Sequence, residues 1–311
     1  WRLRRVEHLT LTLDPEQTAA LLPCAPLVAA LREAVLGLAR QQIASPARQV
    51  VPMANGGLLL SMLATGPDLC IHKLVSVVPG NRAQGLPTIQ GRVQVLDAAT
   101  GAFRLSMDGA TVTGRRTAAM SVLGTASMHP EPPHTVLLVG TGLQAAQHAA
   151  AFRATYPGVR LEVVGRTLDA ARRFAAEHSA GGPIVALANP AESRAQVVVT
   201  CTTSRQPVYD LPADPSRLLV AVGSFSPAAA EIGAATVQAS HCVADDPEGA
   251  RHEAGDLILA GKGWDTVQSL AAVIESGRPP AAPVLFKTVG CAAWDLAAAR
   301  VALARLPDSG F

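Results

Sequence analysis

The stretch Val136-Leu137-Leu138-Val139-Gly140-Thr141-Gly142-Leu143-Gln144-Ala145 carries the reading of the fold. Four apolar residues read as a buried strand, and an Ala-rich run with helical spacing opens at Leu143. Between them stands Gly140-x-Gly142-x-x-Ala145. Gly140 permits a tight turn, Gly142 lets the backbone approach a pyrophosphate, and Ala145 lets the helix lie close on the strand. The helix N-terminus adds N–H groups and a partial positive charge. A structural glycine turn is the plainer reading of such a motif. The strand before it and the helix after it favour a dinucleotide site, with Gly140, Thr141, Gly142 and Leu143 at the phosphates.

Outward from this loop, strands predicted at 135–139, 161–164, 197–200, 218–222 and 242–244 alternate with helices opening at Leu143 and Leu168. Such alternation implies crossover connections and a parallel, doubly wound α/β sheet of Rossmann type. Toward the N-terminus the pattern differs. Asp14-Pro15-Glu16 starts a helix, and apolar positions recur at helical spacing over 27–38. Segments 50–52, 58–62, 70–78 and 88–96 read as strands, 97–101 as a hairpin turn, and 103–107 as the returning strand. This predicts a mostly antiparallel sheet with one early helical layer. An Ala- and Met-rich helix is predicted over 117–128, ended by Pro130-Glu131-Pro132-Pro133, and a last helix over 292–306 is expected to return to the first domain.

Composition narrows the class. The chain has 311 residues, 49% of them hydrophobic and 4% aromatic, so its core is built from Ala, Val and Leu. A net charge of +2 gives no case for nucleic-acid binding. Cys24, Cys70, Cys201, Cys242 and Cys291 have no redox or zinc spacing and read as reduced thiols of a cytoplasmic protein. The basic opening, residues 1–5, is followed by no long apolar run, so it is not read as a signal peptide. No stretch approaches the roughly 18 apolar residues of a membrane span. His252-Glu253 lacks the second histidine of a zinc helix, and no metal is expected.

The second strand of the parallel set, Leu161-Glu162-Val163-Val164, ends in Gly165-Arg166-Thr167. An NAD enzyme places a carboxylate there for the ribose hydroxyls. Arg166 and Thr167 offer a cation and a hydroxyl instead, with Arg172 and Arg173 nearby, which favours NADPH while leaving NADH open. Arg166 as a solvated loop residue is the competing reading. Thr202, Thr203, Val222 and Gly223 lie at the carboxyl ends of two further parallel strands, where ligands bind, and ordinary loop chemistry is their alternative.

Three cations in the first domain stand in apolar or turn settings: Arg48, Lys73 within Ile71-His72-Lys73-Leu74-Val75, and Arg116. A lysine inside a short strand ordinarily points to solvent; three cations without neighbouring acids also suit an anionic ligand. His72 faces the other side of the strand and reads as structural.

Taken with Pro46-x-Arg48, Pro79-x-Asn81, Gly85-Leu86-Pro87-Thr88, Thr113-x-x-Arg116-Thr117-Ala118-Ala119, Thr202-Thr203-Ser204, Pro207-Val208 and Phe286-Lys287-Thr288-Val289-Gly290, the chain resembles the ornithine cyclodeaminase/mu-crystallin family. The resemblance runs over nearly the whole chain in order. It implies an α/β architecture in which a Rossmann domain, 117–288, is inserted into an α+β substrate-binding and dimerisation domain made of 1–116 and 289–311. It further implies an active site in the cleft, a homodimer paired through the first-domain sheets, a substrate carboxylate held by Arg48, Lys73 and Arg116, and Thr88 near the substrate.

One departure separates the branches. Ornithine cyclodeaminases carry an Asp, which handles the substrate amine, where this chain has Phe225. The run Val222-Gly223-Ser224-Phe225-Ser226-Pro227 with Glu231-Ile232 looks instead like the Δ1-pyrroline-2-carboxylate and Δ1-piperideine-2-carboxylate reductases. The resemblance therefore implies NAD(P)H-dependent reduction of a small cyclic imino acid to proline or pipecolate. The imine nitrogen also needs a proton. Lys73 is a candidate donor if burial and nearby cations lower its pKa, and Glu253 and Asp256 are second candidates whose plainer reading is a turn cluster. Ornithine cyclodeamination, an amino-acid dehydrogenase activity, and NADPH-linked ligand binding of the mu-crystallin type stand as alternatives.

Overall fold

A computed structural model describes residues 10–306. The basic opening, residues 1–5, lies outside the described residues. The chain divides into two compact units, one running to Arg116 and resuming at Cys291, the other Thr117–Gly290.

In the first unit, β1 (Leu11–Thr12) leads to α1 (Pro15–Leu21) and α2 (Cys24–Ala39). Asp14 caps α1: its carboxylate accepts the Gln17 N–H at 2.8 Å, and the Gln17 side chain accepts the Asp14 N–H at 3.0 Å. Then follow β2 (Gln49–Pro52), β3 (Leu58–Thr65), β4 (Leu69–Val77), β5 (Ile89–Asp97) and β6 (Phe103–Asp108). Among the described residues they form one sheet of order β1-β6-β5-β4-β3-β2, antiparallel except where β1 joins β6. Side chains alternate across it. Leu69, Ile71, Lys73 and Val75 are buried on one face of β4, while Leu74 is exposed on the other. The final helix, Ala292–Leu303, packs on α2, β3 and β4. Arg300 ties it to the β3–β4 turn through two hydrogen bonds to Asp68, at 2.6 and 2.9 Å.

One helix departs from expectation. The helix predicted over 117–128 is α3, Gly109–Met128, and starts eight residues earlier. Asp108 accepts the Thr111 N–H at 2.7 Å, and this capping bond starts the helix in a stretch whose Gly and Thr residues argue against one. Arg116 therefore sits inside the helix, not ahead of it.

The second unit continues through β7 (Thr135–Val139), α4 (Leu143–Thr155), β8 (Arg160–Val164), α5 (Leu168–Glu177), β9 (Ile184–Leu187), β10 (Val197–Thr200) and β11 (Leu218–Ala221). After them come α6 (Ala234–Ala239), β12 (His241–Ala244), α7 (Pro247–Glu253), α8 (Gly255–Leu259), β13 (Gln268–Ser269), α9 (Leu270–Ser276) and β14 (Val284–Lys287). Its sheet is parallel throughout, in the order β13-β12-β14-β11-β10-β7-β8-β9. The strands β7, β8 and β9 run outward one way and β10 and β11 the other, so the order reverses between β7 and β10. In open α/β sheets the crevice beyond the strand ends at such a reversal is where ligands bind. Both faces of these strands are covered, and β10, β11 and β14 are buried along their whole length, as near-continuous apolar runs predict. Among the described residues no single helix is long and apolar enough to cross a membrane.

Candidate active site

The first group of functional side chains lies within the first unit. Lys73 stands in mid-β4 between Met62 of β3 and Val93 of β5 and is 3% exposed. An ammonium so placed is costly unless paired. Its partner is Asp295 of the final helix, 0% exposed, whose two oxygens accept from Nζ at 3.0 and 3.2 Å. Arg116 of α3 reaches the same carboxylate, Nε to Oδ1 at 3.4 Å. Burial pushes the Lys73 pKa down to about 8; Asp295 opposes the fall, while Arg116 and Arg48 add to it by repulsion. Arg48, in the segment ahead of β2, is therefore close enough to act on Lys73. The structure thus brings Lys73 and Arg116 onto one carboxylate, with Arg48 near Lys73. Thr88 is placed differently. Its carbonyl accepts the Val78 N–H at 2.8 Å, five residues along from Lys73 and so about 16 Å away by strand rise.

Sequence reasoning missed Asp295. The available signal was a single acid in the run Ala292-Ala293-Trp294-Asp295-Leu296-Ala297-Ala298-Ala299, every member of which is buried. His72, on the opposite face of β4, bonds Ser61 Oγ across the strands at 2.9 Å, a structural contact.

The second group lies at the carboxyl ends of the parallel strands. Gly140, directly after β7, has φ +130°, and a Cβ there would sit 3.0 Å from the Cys201 carbonyl beyond β10. Only glycine fits that conformation and that approach. Gly142 caps α4 without any side-chain bond to the first turn, and the space beside its Cα is open. A helix end without a side-chain cap behind a glycine loop has backbone donors suited to a pyrophosphate. Thr141 flanks it, and Leu143 projects from the rim, 58% exposed.

Arg166 is exposed in the turn after β8. Thr167 caps α5, its hydroxyl oxygen accepting the Ala170 N–H at 3.1 Å, so that oxygen is already engaged in holding the helix. Glu162, the carboxylate within β8, is held below the strand end by Ser193 Oγ at 2.5 Å and Arg160 Nε at 3.2 Å. It does not stand where a ribose-binding acid would.

At the ends of β10 and β11, Glu231 is the organising residue, and sequence reasoning gave it no role. Its Oε1 accepts the Thr202 N–H at 2.6 Å and the Thr202 hydroxyl at 2.7 Å. Its Oε2 accepts the Gly223 N–H at 2.6 Å and the Thr200 hydroxyl at 3.1 Å. A Cβ on Gly223 would collide with the Thr202 carbonyl. The Val222 N–H donates to the Thr200 carbonyl at 2.9 Å, and Thr203 is exposed beyond. Asp256 accepts the Glu231 and Ile232 N–H groups at 2.6 and 3.0 Å and pairs with Lys287 at 2.7 Å. Lys287 in turn donates to the Ser224 carbonyl at 2.7 Å. Asp256 is thus spent on structure, and Glu253 closes α7. Phe225, 46% exposed, stands in the loop after β11.

The geometry agrees with known proteins. A Δ1-pyrroline-2-carboxylate/Δ1-piperideine-2-carboxylate reductase of Azospirillum brasilense is 53% identical over 291 residues, 93% of this chain and 94% of that protein. The structure of Thermococcus litoralis Δ1-pyrroline-2-carboxylate reductase in complex with NADH and L-proline superposes with a TM-score of 0.86 at 25% identity, covering 94% of this chain and 96% of that one. An archaeal alanine dehydrogenase dimer with bound NAD gives 0.84 at 25% identity, covering 94% of each. The model of the ornithine cyclodeaminase/mu-crystallin family matches residues 10–309, and the chain belongs to that family.

Proposed function

We propose that this protein reduces cyclic imino acids, Δ1-pyrroline-2-carboxylate and Δ1-piperideine-2-carboxylate, to L-proline and L-pipecolate at the expense of NAD(P)H. The observation that carries the reading is the buried cluster of Lys73 and Arg116 on Asp295, with Arg48 beside it, in a chain 53% identical to a reductase of these two imines. Two cations share one carboxylate and a third acts on Lys73, and the excess positive charge suits a second, substrate carboxylate. Arginine grips both oxygens of such a group, and Lys73 adds a point charge. Fixing the ring by its carboxylate limits its freedom and converts an encounter into a fixed geometry. A reduced nicotinamide, when bound, would supply the hydride. The glycine loop and the uncapped α4 end would hold its pyrophosphate, and the strand ends at Thr202 and Gly223 would border the rest. Lys73, held near neutrality in pKa, has a proton to lend the imine nitrogen. Phe225 has no carboxylate to pair with an ammonium or to take a proton, which separates this reaction from ornithine deamination.

Two finer features belong to the same proposal. Exposed Arg166, with no acid at the end of β8, suits the 2′-phosphate of NADPH over NADH. Val50, Val51, Leu63 and Leu74 expose apolar surface on the antiparallel sheet, which suits pairing of two copies through it. The five cysteines form no disulfide among the described residues, which suits the reducing cytoplasm.

The test is oxidation of NADPH and of NADH by the purified protein with each imine, beside pyruvate plus ammonia, and beside ornithine without added cofactor. Turnover of the imines is expected. Tight NADPH binding without imine turnover would leave a ligand-binding protein, and ammonia release from ornithine would overturn the reductase reading.

A further inference from the structure

We propose that Asp295 is a positioning residue of this reaction: from the final helix it holds the Lys73 ammonium in place and in its charged form, and thereby sets the highest pH at which the imino-acid carboxylate is captured. The inference rests on the reductase reading above and deepens it.

Groups from several elements surround Lys73. The flanking strands present Met62 and Val93, neither of which titrates. Ile71 and Val75 share its face of β4. The segment ahead of β2 contributes Arg48 and α3 contributes Arg116, both of which repel the ammonium. Among the described residues, the group that favours the charge comes from the final helix and is Asp295. It occupies the first turn of its helix, where aligned peptide dipoles favour a negative side chain. Both oxygens engage Lys73, and one is shared with Arg116, so the carboxylate fixes where the two cations stand. An ammonium has three N–H groups. Two point at Asp295, which directs the remaining one away from the helix, toward whatever anion the cations collect.

This chain lends itself to a direct test because it holds three lysines, Lys73, Lys262 and Lys287. The full-length protein labelled at lysine with ¹³C and ¹⁵N gives few side-chain signals, and Lys73→Arg identifies the one in question. In the unaltered protein that signal should titrate near pH 8. In Asp295→Asn the midpoint should fall by about 1–3 units, as expected for loss of an opposite charge at contact distance. In Arg116→Gln it should rise, because a repelling charge has gone. Asp295→Glu, which keeps the carboxylate, should return the midpoint toward that of the unaltered protein. The alkaline limb of kcat/KM for imine reduction with NADPH should move with the signal in each variant.

A folded Asp295→Asn protein whose Lys73 midpoint is unchanged would overturn the proposal. So would a midpoint that moves while the alkaline limb stays put, since Asp295 would then be structural only. Should Asp295→Asn fail to fold, Arg116→Gln decides through the opposite shift. Absence of imine reduction at every pH would remove the reductase reading instead, and the titration would still report whether Asp295 holds the charge.

Discussion

Replacing Glu231 by Gln preserves the volume of the side chain and exchanges one oxygen for an amide nitrogen, at a site where four donors converge. Burial pushes the Glu231 pKa up, yet four donors from three residues point at it, which is the pattern of an ionised acceptor. Each oxygen faces one hydroxyl and one backbone N–H. Whichever way the Gln amide is turned, its NH₂ meets one hydroxyl, which can rotate and accept, and one backbone N–H, which cannot. One buried N–H, of Thr202 or of Gly223, is therefore stranded at a cost of about 1–3 kcal/mol. For a unit of this size each kcal/mol lowers the melting temperature by about 2–4 °C, so the drop should be about 2–12 °C. Calorimetry of the unaltered and Glu231→Gln proteins, with and without NADPH, measures it. Equal melting temperatures would refute the reasoning. They would mean that Glu231 carries a proton in the folded protein and already presents an O–H where Gln presents its amide.

The cation cluster predicts that Lys73→Ala and Arg116→Ala each lose one charge-assisted bond to the substrate, worth about 1.5–3 kcal/mol. Steady-state kinetics should show kcat/KM falling by about 10- to 100-fold, and an unchanged value would remove that residue from the site. Arg166→Asp places a carboxylate at the end of β8 and should turn the ratio of NADPH to NADH efficiency toward NADH; an unmoved ratio would deny Arg166 its role. His148, buried in α4, has its pKa lowered to about 4 by burial, and stands between Ser121 Oγ at 2.8 Å and the Gln144 carbonyl at 2.7 Å. The unfolded chain takes up that proton first. Stability is therefore full above the unfolded value of about 6.5 and lost as pH falls toward 4, by up to about 3 kcal/mol. Denaturant melts between pH 7 and 4 should show this loss, smaller in His148→Gln.

What the sequence discloses is what short-range pattern can carry. The β7–loop–α4 segment announces itself because strand, glycines and helix are contiguous, and its boundaries fall where the pattern places them. The strand β14 is different. Four residues, one of them charged, follow Pro279, Pro280 and Pro283, and only partners far along the chain make Val284–Lys287 the strand between β11 and β12. The site divides in the same way. Arg48, Lys73 and Arg116 are visible as cations out of context, but Asp295 lies 222 residues beyond Lys73 in an otherwise apolar helix. Glu231 lies 29 residues from the Thr202 amide it accepts. No local periodicity connects such pairs, because the bond between them is made by the fold.

The separation of Lys73 from Asp295 also bears on the order in which the chain is completed during synthesis. The whole of Thr117–Gly290 is synthesised before Asp295, so the sheet of the inserted unit needs nothing that the chain has yet to make. Without the last helix, β4 would carry an ammonium among apolar side chains with two arginines nearby and, among the described residues, no carboxylate shown to pair with it. The opening strands of the chain are thus held provisional until its closing helix arrives, and the residue that ends the wait is the same one that arms the site.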